Sequence, residues 1–413
     1  MLIISYTEKA FSVAILIKIK TPAGATHESS DFARGAYEMA YYDLIIVGAG
    51  PAGSTLAWSL QDSGKRILLI DQKHFPRPKS CAGWVTPSVL DSLKIDPDVY
   101  AEGRILQPIE GFRIGMMGRS ALENDHGGIV SYGIRRCEFD HFLLDRVTAD
   151  TQLGTAIKDI RHDHGNWILN QRWETPLLVG AGGHFCPVAT HIGAGPGRHE
   201  TVVAAREVEF ELTPEQAAAC EVKGDRPELW FCRDLKGYAW VIRKDNFLNI
   251  GLGREDHRKL TRHLNRFVSA MQLEGRIPRD LPGRFKGHAY LLYDHAQRPL
   301  LDDGVMLVGD AAGLAFNQSG EGIRPAIESA LLAANVIRNA ADLSARSLQP
   351  YGEAIAHRFG TRALKSESSL QVPDWVKMPL AASLMRSHWF TRKILTERWF
   401  LHQQVPPLEE IAS

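Results

Sequence analysis

No excess of charge of either sign marks this chain. Lys plus Arg and Asp plus Glu are 48 each over 413 residues, so the formal net charge at pH 7 is zero. A protein that lives on nucleic-acid phosphates carries a basic excess, so nucleic acid is not expected as a partner. Cysteine is sparse. Cys81, Cys137, Cys186, Cys220 and Cys232 are odd in number, widely spaced and without a CxxC pair. That pattern supports neither a disulfide framework nor a zinc ribbon, and it suits a reducing, cytoplasmic setting. Long apolar runs are missing as well: nothing approaches the roughly 18 residues of a membrane span. The early apolar stretch at 11–17 is mostly followed by its lysines, Lys18 and Lys20, the reverse of a secretory signal. No metal is expected. His162-Asp163-His164 has ligand-like spacing but runs into Gly165-Asn166, which reads as a hairpin turn. A nucleophile elbow with Ser-His-Asp order is absent too.

What is present is ordinary globular material, 44% hydrophobic and 23% charged, in a length that suggests two to three domains. Residues 1–38 show no period in their second half and read as a poorly ordered extension, with Met39 as the functional start. Structure is expected from there. Asp43-Leu44-Ile45-Ile46-Val47 is a short β-branched run, typical of a buried parallel strand. It enters Gly48-Ala49-Gly50-Pro51-Ala52-Gly53, which fits G-x-G-x-x-G, followed by a helix over 54–61 and a second strand over 66–70 ending on Asp71. Each part has a physical reason. Gly48 permits the tight turn, Gly50 lets a pyrophosphate approach the backbone, and Gly53 lets helix and strand pack closely. The helix start at Pro51 and Ala52 offers free N–H groups to phosphate. Asp71 stands where a ribose hydroxyl is accepted. A dinucleotide site follows.

A second site motif lies far along the chain. Val305 to Val308 reads as another buried strand, then Gly309-Asp310-Ala311-Ala312-Gly313, then Gly320-Glu321-Gly322 and a helix from Ile323. Ile323, Ile327, Ala330, Leu331, Ala334 and Ile337 recur at helical spacing, so one face is core. Gly309 to Gly322 resembles the G-D-A-A-G-x-x-x-P-x-x-G-x-G signature of FAD enzymes with the para-hydroxybenzoate hydroxylase type of fold. The resemblance implies that Asp310 binds the ribityl chain and that Gly320 and Gly322 meet the flavin ring. Asn317 stands where that family has proline. Arg136 to Asp140 is similar to its R-x-x-[LF]-D segment, which implies that Arg136 lies near the cofactor phosphates. Gly182 replaces the aspartate of the G-A-D-G segment, which weighs against direct reduction by NAD(P)H; His184 is the nearest substitute, but reads more readily as a polar loop histidine.

Two further stretches narrow the resemblance. Lys79-Ser80-Cys81-Ala82-Gly83 resembles the K-x-C-x-G segment of geranylgeranyl reductase-like flavoproteins. Gly237 to Ile242 and Leu248 to Gly253 are similar to their G-Y-x-W and V-N-V-G-x-G strands. Physically these are two half-buried antiparallel strands joined by a turn at 244–246. Tyr238 and Trp240 alternate with smaller residues and are expected on one face. The resemblance puts Cys81 beside the flavin as a proton donor or as a residue that tunes the ring's surroundings; packing is the competing role for Cys81, Tyr238 and Trp240 alike. The W-x-W-x-I-P motif of indole halogenases is not matched.

The expected fold is α/β, a Rossmann-type FAD-binding domain (39–103, 135–200 and 285–345) interleaved with a β-rich substrate domain (104–134 and 201–284), plus a helical C-terminal tail (346–413). The resemblance implies an FAD-dependent oxidoreductase that reduces carbon–carbon double bonds of a prenyl lipid, with electrons from NAD(P)H or a reduced carrier protein. The alternatives are a flavin-hydroperoxide monooxygenase and an electron-carrier flavoprotein. Aromatic and basic residues between Val372 and Val405, among them Trp375, Trp389, Arg386 and Lys393, suit either a helical cap or peripheral contact with a membrane surface.

Overall fold

A computed structural model describes residues 39–195, 200–362 and 373–408. The extension expected over residues 1–38 lies outside the described residues. The runs Leu44–Val47 and Ile67–Ile70 are buried at every position, because they lie inside a sheet covered on both faces. That sheet has six strands in the order Leu301–Asp302, Val305–Leu307, Leu178–Gly180, Leu44–Val47, Ile67–Ile70, Asp150–Gln152. Only the first pair is antiparallel. The Pro51–Ser59 helix begins directly after Gly50, three residues earlier than the sequence suggests, with proline in its first turn. It packs on the Ile323–Asn339 helix, whose alanines at 330, 333 and 334 are fully buried in the same core. Leu331, expected in that core, is only partly buried. Gly48 (φ +116°) and Gly53 carry the close packing. A Cβ on Gly48 would collide with the backbone at Ala181, and one on Gly53 with the Gly48 carbonyl oxygen.

The second sheet has seven strands in the order Lys286–Leu291, Val202–Glu211, Phe247–Arg254, Gly237–Lys244, Glu228–Phe231, Gly111–Met116, Ala121–Asp125. Side-chain alternation divides its two faces. Val208, Phe210, Val241, Leu248 and Ile250 pack on one side with Leu260, Leu264, Phe267 and Met271 of the Leu260–Leu273 helix. Trp240, Ile242, Ile114 and Leu229 lie on the other, against Leu395 and Phe400 near the C-terminus. The turn between the central strands is a tight one, with Lys244 opposite Phe247 and Asp245 at φ +52°.

The helical tail is shared between the two sheets. Leu348, Tyr351 and Ile355 of the Ala345–Phe359 helix belong to the parallel-sheet core, and the Tyr351 hydroxyl donates to the Leu307 carbonyl at 2.8 Å. The Asp374–Leu384 helix and the Phe390–Phe400 segment, wound as a π-helix, contribute Ala382, Leu395 and Phe400 to the second sheet's core. The expected hairpin is present: His162 and Asp163 end its first strand, and His164 and Gly165, both at positive φ, form the turn; no group of metal-ligating side chains occurs among the described residues. No helix among the described residues is long and apolar enough to cross a membrane.

Candidate active site

A cavity of about 560 Å³ runs from the first glycine loop to the inner face of the second sheet. Its phosphate end is built by Gly48, Gly50, Pro51 and Ala52 at the mouth of the Pro51–Ser59 helix. Amides in a first helical turn have no intrahelical acceptor and favour an anion. Gly50 faces open space except for the Arg77 guanidinium, 3.5 Å from where a Cβ would sit. Asp71 lies at the end of the second strand and accepts from the Ala49 and Lys73 amides, both at 2.8 Å. It therefore holds the loop's shape and still has lone pairs for a ribose hydroxyl.

Arg136 opens the Arg136–Asp145 helix and is buried. It grips Asp140 one turn later in a two-pronged ion pair at 2.7 and 2.9 Å. Burial alone would depress its pKa; Asp140 and then Cys81 outweigh that and raise it. Arg77 approaches the same carboxylate at 3.3 Å.

At the other end, Gly309 to Ala311 form a short 3₁₀ turn after Val305–Leu307, and the Gly309 amide donates to Ser329 Oγ at 3.0 Å. Asp310 lies against Gly322, where a Cβ would stand 3.0 Å from its Oδ1. Gly320 (φ +70°) is required by its neighbour, because a Cβ there would strike the Tyr290 hydroxyl. Gly322 caps the Ile323–Asn339 helix, and Ile323 begins it, buried. His288 Nε2 stands 3.9 Å from Asp310 Oδ2. Lys79 Nζ donates to His288 Nδ1 at 3.0 Å. Burial, then Lys79, pushes the His288 pKa well below its usual 6.5, so the ring is neutral at pH 7 and able to accept. Burial, then Arg136, lowers Lys79, while Asp310 pulls it back up.

The wall facing these groups comes from the second sheet. Ala205, Glu207, Tyr238, Trp240 and Tyr290 line the cavity. Tyr238 and Trp240 share one face as expected, with rings 6.0 Å apart. The Tyr238 hydroxyl donates to the Ser319 carbonyl at 2.5 Å, and burial raises its pKa well above 10. Trp240 donates its indole N–H to Asn249 Oδ1 at 2.7 Å and occupies space that a Cβ on Gly251 would claim. Asn249 in turn donates to Glu207 at 2.8 Å and to the Cys81 carbonyl at 3.0 Å. Burial, then repulsion from Glu209, lifts Glu207 to about 7. Cys81 lines the same cavity, half-buried, with its sulfur accepting from the Gly83 amide at 3.4 Å.

The predicted cofactor residues from both motifs and the three predicted chemical residues thus converge on one cavity or its supporting turns. Sequence reasoning missed Arg77, Glu207, His288 and Tyr290, and assigned nothing to Glu321. The alternating acids Glu207, Glu209 and Glu211 were a legible sign of a polar strand face, but not of what that face covers. His184 is buried beside Arg298, whose Nη2 is 3.4 Å from its Nδ1, and desolvation lowers its pKa.

The residues present fit an FAD-sized ligand: a glycine cradle and helix mouth for a pyrophosphate, carboxylates at both strand ends for sugar hydroxyls, and a long cavity joining them. Comparison with known proteins agrees. Residues 46–80 match the NAD(P)-binding Rossmann-like domain model. The chain is 28% identical to digeranylgeranylglycerophospholipid reductase 3 of Methanosphaera stadtmanae, over 78% of this chain and 84% of that protein. The fold is similar to a geranylgeranyl bacteriochlorophyll reductase-like protein of Thermoplasma acidophilum, at TM-score 0.70 and 21% identity, covering 89% of this chain and 98% of that one. It is also similar to the halogenase PltM solved with FAD, at TM-score 0.64 and 15% identity, covering 84% and 78%. Fold and site together define an FAD-dependent oxidoreductase with a Rossmann-type domain interleaved with a β-rich one. The motifs that resemble geranylgeranyl reductase-like flavoproteins are thus matched by sequence relatives named digeranylgeranylglycerophospholipid reductases, at 26–28% identity.

Proposed function

We propose that the chain reduces isolated carbon–carbon double bonds in a prenyl lipid. One observation carries the reading: the cavity that begins at the phosphate loop ends against a mainly aromatic and apolar wall, Ala205, Tyr238, Trp240 and Tyr290, with Glu207 as its one acid. An alkene has no polar handle, so such a wall can orient it by shape alone. The names of the sequence relatives support the lipid class. Bound FAD, once reduced, supplies hydride chemistry; the chain's own residues bind, align and exclude water. Trp240 is held by Asn249 and shaped by Gly251, so its part is to position substrate. The electron donor is NAD(P)H or a reduced carrier protein, and Gly182 in place of an acid favours the carrier.

Admitting oxygen to the anaerobically reduced protein tests the reading. An oxygen atom incorporated into the lipid would favour the monooxygenase alternative; a lipid reduced before any oxygen is added supports the proposal.

The Cys81 sulfur accepts from the Gly83 amide and its carbonyl accepts from Asn249, so the residue is tied into the cavity wall. We therefore assign it to shaping the flavin's surroundings. Cys81→Ser should leave single-turnover reduction within about threefold of wild type, against the roughly 10²–10⁴ that loss of a general acid costs. A hundredfold fall at constant FAD content would return the proton to the thiol.

Trp375, Leu380 and Trp389 are exposed on a segment that also carries Lys377, Arg386 and Lys393. We propose that this face rests on a lipid surface. Trp375→Ser with Trp389→Ser should lower co-sedimentation with anionic vesicles severalfold; unchanged binding would remove the membrane contact.

A further inference from the structure

Lys79 carries a positive charge into the cavity that no carboxylate answers directly. Among the described residues its Nζ forms no ion pair, and it donates to the neutral His288 ring, at 3.0 Å from Nδ1. Withdrawing a cation from water in this way is costly, and other lysines and arginines of the fold avoid it. Lys244 is buried against Glu209, Arg254 against Asp234 and Arg324 against Glu328. The neighbours of Lys79 leave its charge standing. Arg136, from the start of its helix, and Arg77, from the same loop as Lys79, share the Asp140 carboxylate and repel the ammonium. Asp310, from the turn after Val305–Leu307, attracts it from beyond ion-pairing distance, and Cys81 acts in the same direction.

The position of this charge distinguishes it from the cations of the phosphate end. Arg77 lies beside Gly50, at the phosphate loop. Lys79, two residues further on, reaches the second sheet instead. His288 belongs to the Lys286–Leu291 strand, pairs in register with Ala205, and stacks on Tyr290 with ring centroids 5.9 Å apart. The Tyr290 hydroxyl covers Gly320. Ala205, Tyr290 and Gly320 all line the cavity, and Gly320 is one of the glycines whose motif implies contact with the flavin ring. The Lys79 ammonium thus stands between the Asp310 carboxylate and the wall that faces the ring, where an anionic group would complete it.

We propose that Lys79 balances the negative charge that bound FAD gains on reduction. Two electrons and one proton added to the flavin ring leave it one unit more negative, and a second proton would cancel that charge. The Lys79 ammonium stands in for the second proton, so the reduced ring remains an anion. Lys79 keeps its own protons, and the electrons come from the donor. An anionic ring is richer in electrons than its protonated form and gives up hydride more readily. The proposal concerns the flavin and not the lipid, so it holds or fails independently of the prenyl-lipid reading.

The test uses the FAD-loaded protein, reduced with dithionite without oxygen and calibrated against redox dyes across a range of pH. On the acid side of neutrality wild type should take up one proton for two electrons, so its potential changes with pH at half the slope of a two-proton couple. Lys79→Met should take up two protons there. Its ratio of reduced to oxidised flavin at a fixed potential should fall roughly ten- to hundredfold, the weight of a charge-assisted hydrogen bond. Lys79→Arg, which keeps the charge, should recover most of both, and oxidised FAD should bind Lys79→Met as it binds wild type. A wild type that takes up two protons overturns the proposal, as does a Lys79→Met protein with unchanged slope and ratio. Equal weakening of oxidised and reduced FAD in that variant also overturns it and returns Lys79 to the phosphates. Should Lys79→Met fail to fold, the wild-type slope decides alone. No lipid enters the measurement, so either outcome leaves the prenyl-lipid reading as it stands.

Discussion

Gly53→Val will yield a colourless protein. Position 53 is where the Pro51–Ser59 helix rests on the Gly48 turn: a Cβ would collide with the Gly48 carbonyl oxygen and come within 3.3 Å of the Ala181 side chain. Backbone cannot move aside as a flexible side chain can. The helix must lift from the sheet, at about 1–3 kcal/mol or more for overpacking, and its first-turn amides leave the position that suits a pyrophosphate. Gly50→Ala separates the two consequences. Its Cβ would meet only Arg77, at 3.5 Å, so the fold should be untroubled while FAD, which needs that space, binds more weakly. Absorbance at flavin wavelengths and thermal melting, measured on both variants, check this. A yellow Gly53→Val protein with full FAD content would contradict the placement of the phosphate loop.

Asp310→Ala should weaken FAD binding roughly ten- to hundredfold. A carboxylate that accepts a hydrogen bond from a ligand hydroxyl is worth about 1.5–3 kcal/mol, and each 1.4 kcal/mol is about tenfold in affinity. Asp310 projects from the turn after Val305–Leu307 into the cavity, against Gly322 and within 3.9 Å of His288. Its loss leaves the neutral His288 and the Lys79 ammonium facing each other without their shared acid. Titration of the apoprotein with FAD reads the change directly. Unchanged affinity would refute the ribityl-chain assignment.

The parallel sheet and its phosphate loop were legible because local sequence alone dictates them. Buried strands read as unbroken β-branched runs, and a G-x-G-x-x-G turn needs its glycines whatever surrounds it. The antiparallel pair carrying Tyr238 and Trp240 was legible for a similar reason, since alternation and a tight turn are short-range signals. The elements that complete the site are not short-range. His288 reaches Lys79 across 209 positions and Tyr290 reaches Gly320 across the junction of two sheets. Nothing in either local segment announces the pairing. Glu321 was visible between its glycines, but its burial beside His402 is set by packing alone. The tail was read as helical, yet its division between the two sheets follows from which faces those sheets leave uncovered. The departures of Asn317 and Gly182 from the family pattern left the fold unchanged: Asn317 Oδ1 accepts from the Asp294 amide at 2.8 Å, and a Cβ at Gly182 would crowd Cys186.

One measurement bears most directly on the proposed activity. The FAD-loaded protein is reduced chemically without oxygen, mixed once with a geranylgeranyl lipid, and followed by flavin absorbance and lipid mass together. The flavin should reoxidise as the lipid gains two hydrogens for each double bond reduced. A flavin that stays reduced across a range of such lipids, and reoxidises only when oxygen enters with an oxygen atom appearing in the lipid, would contradict it.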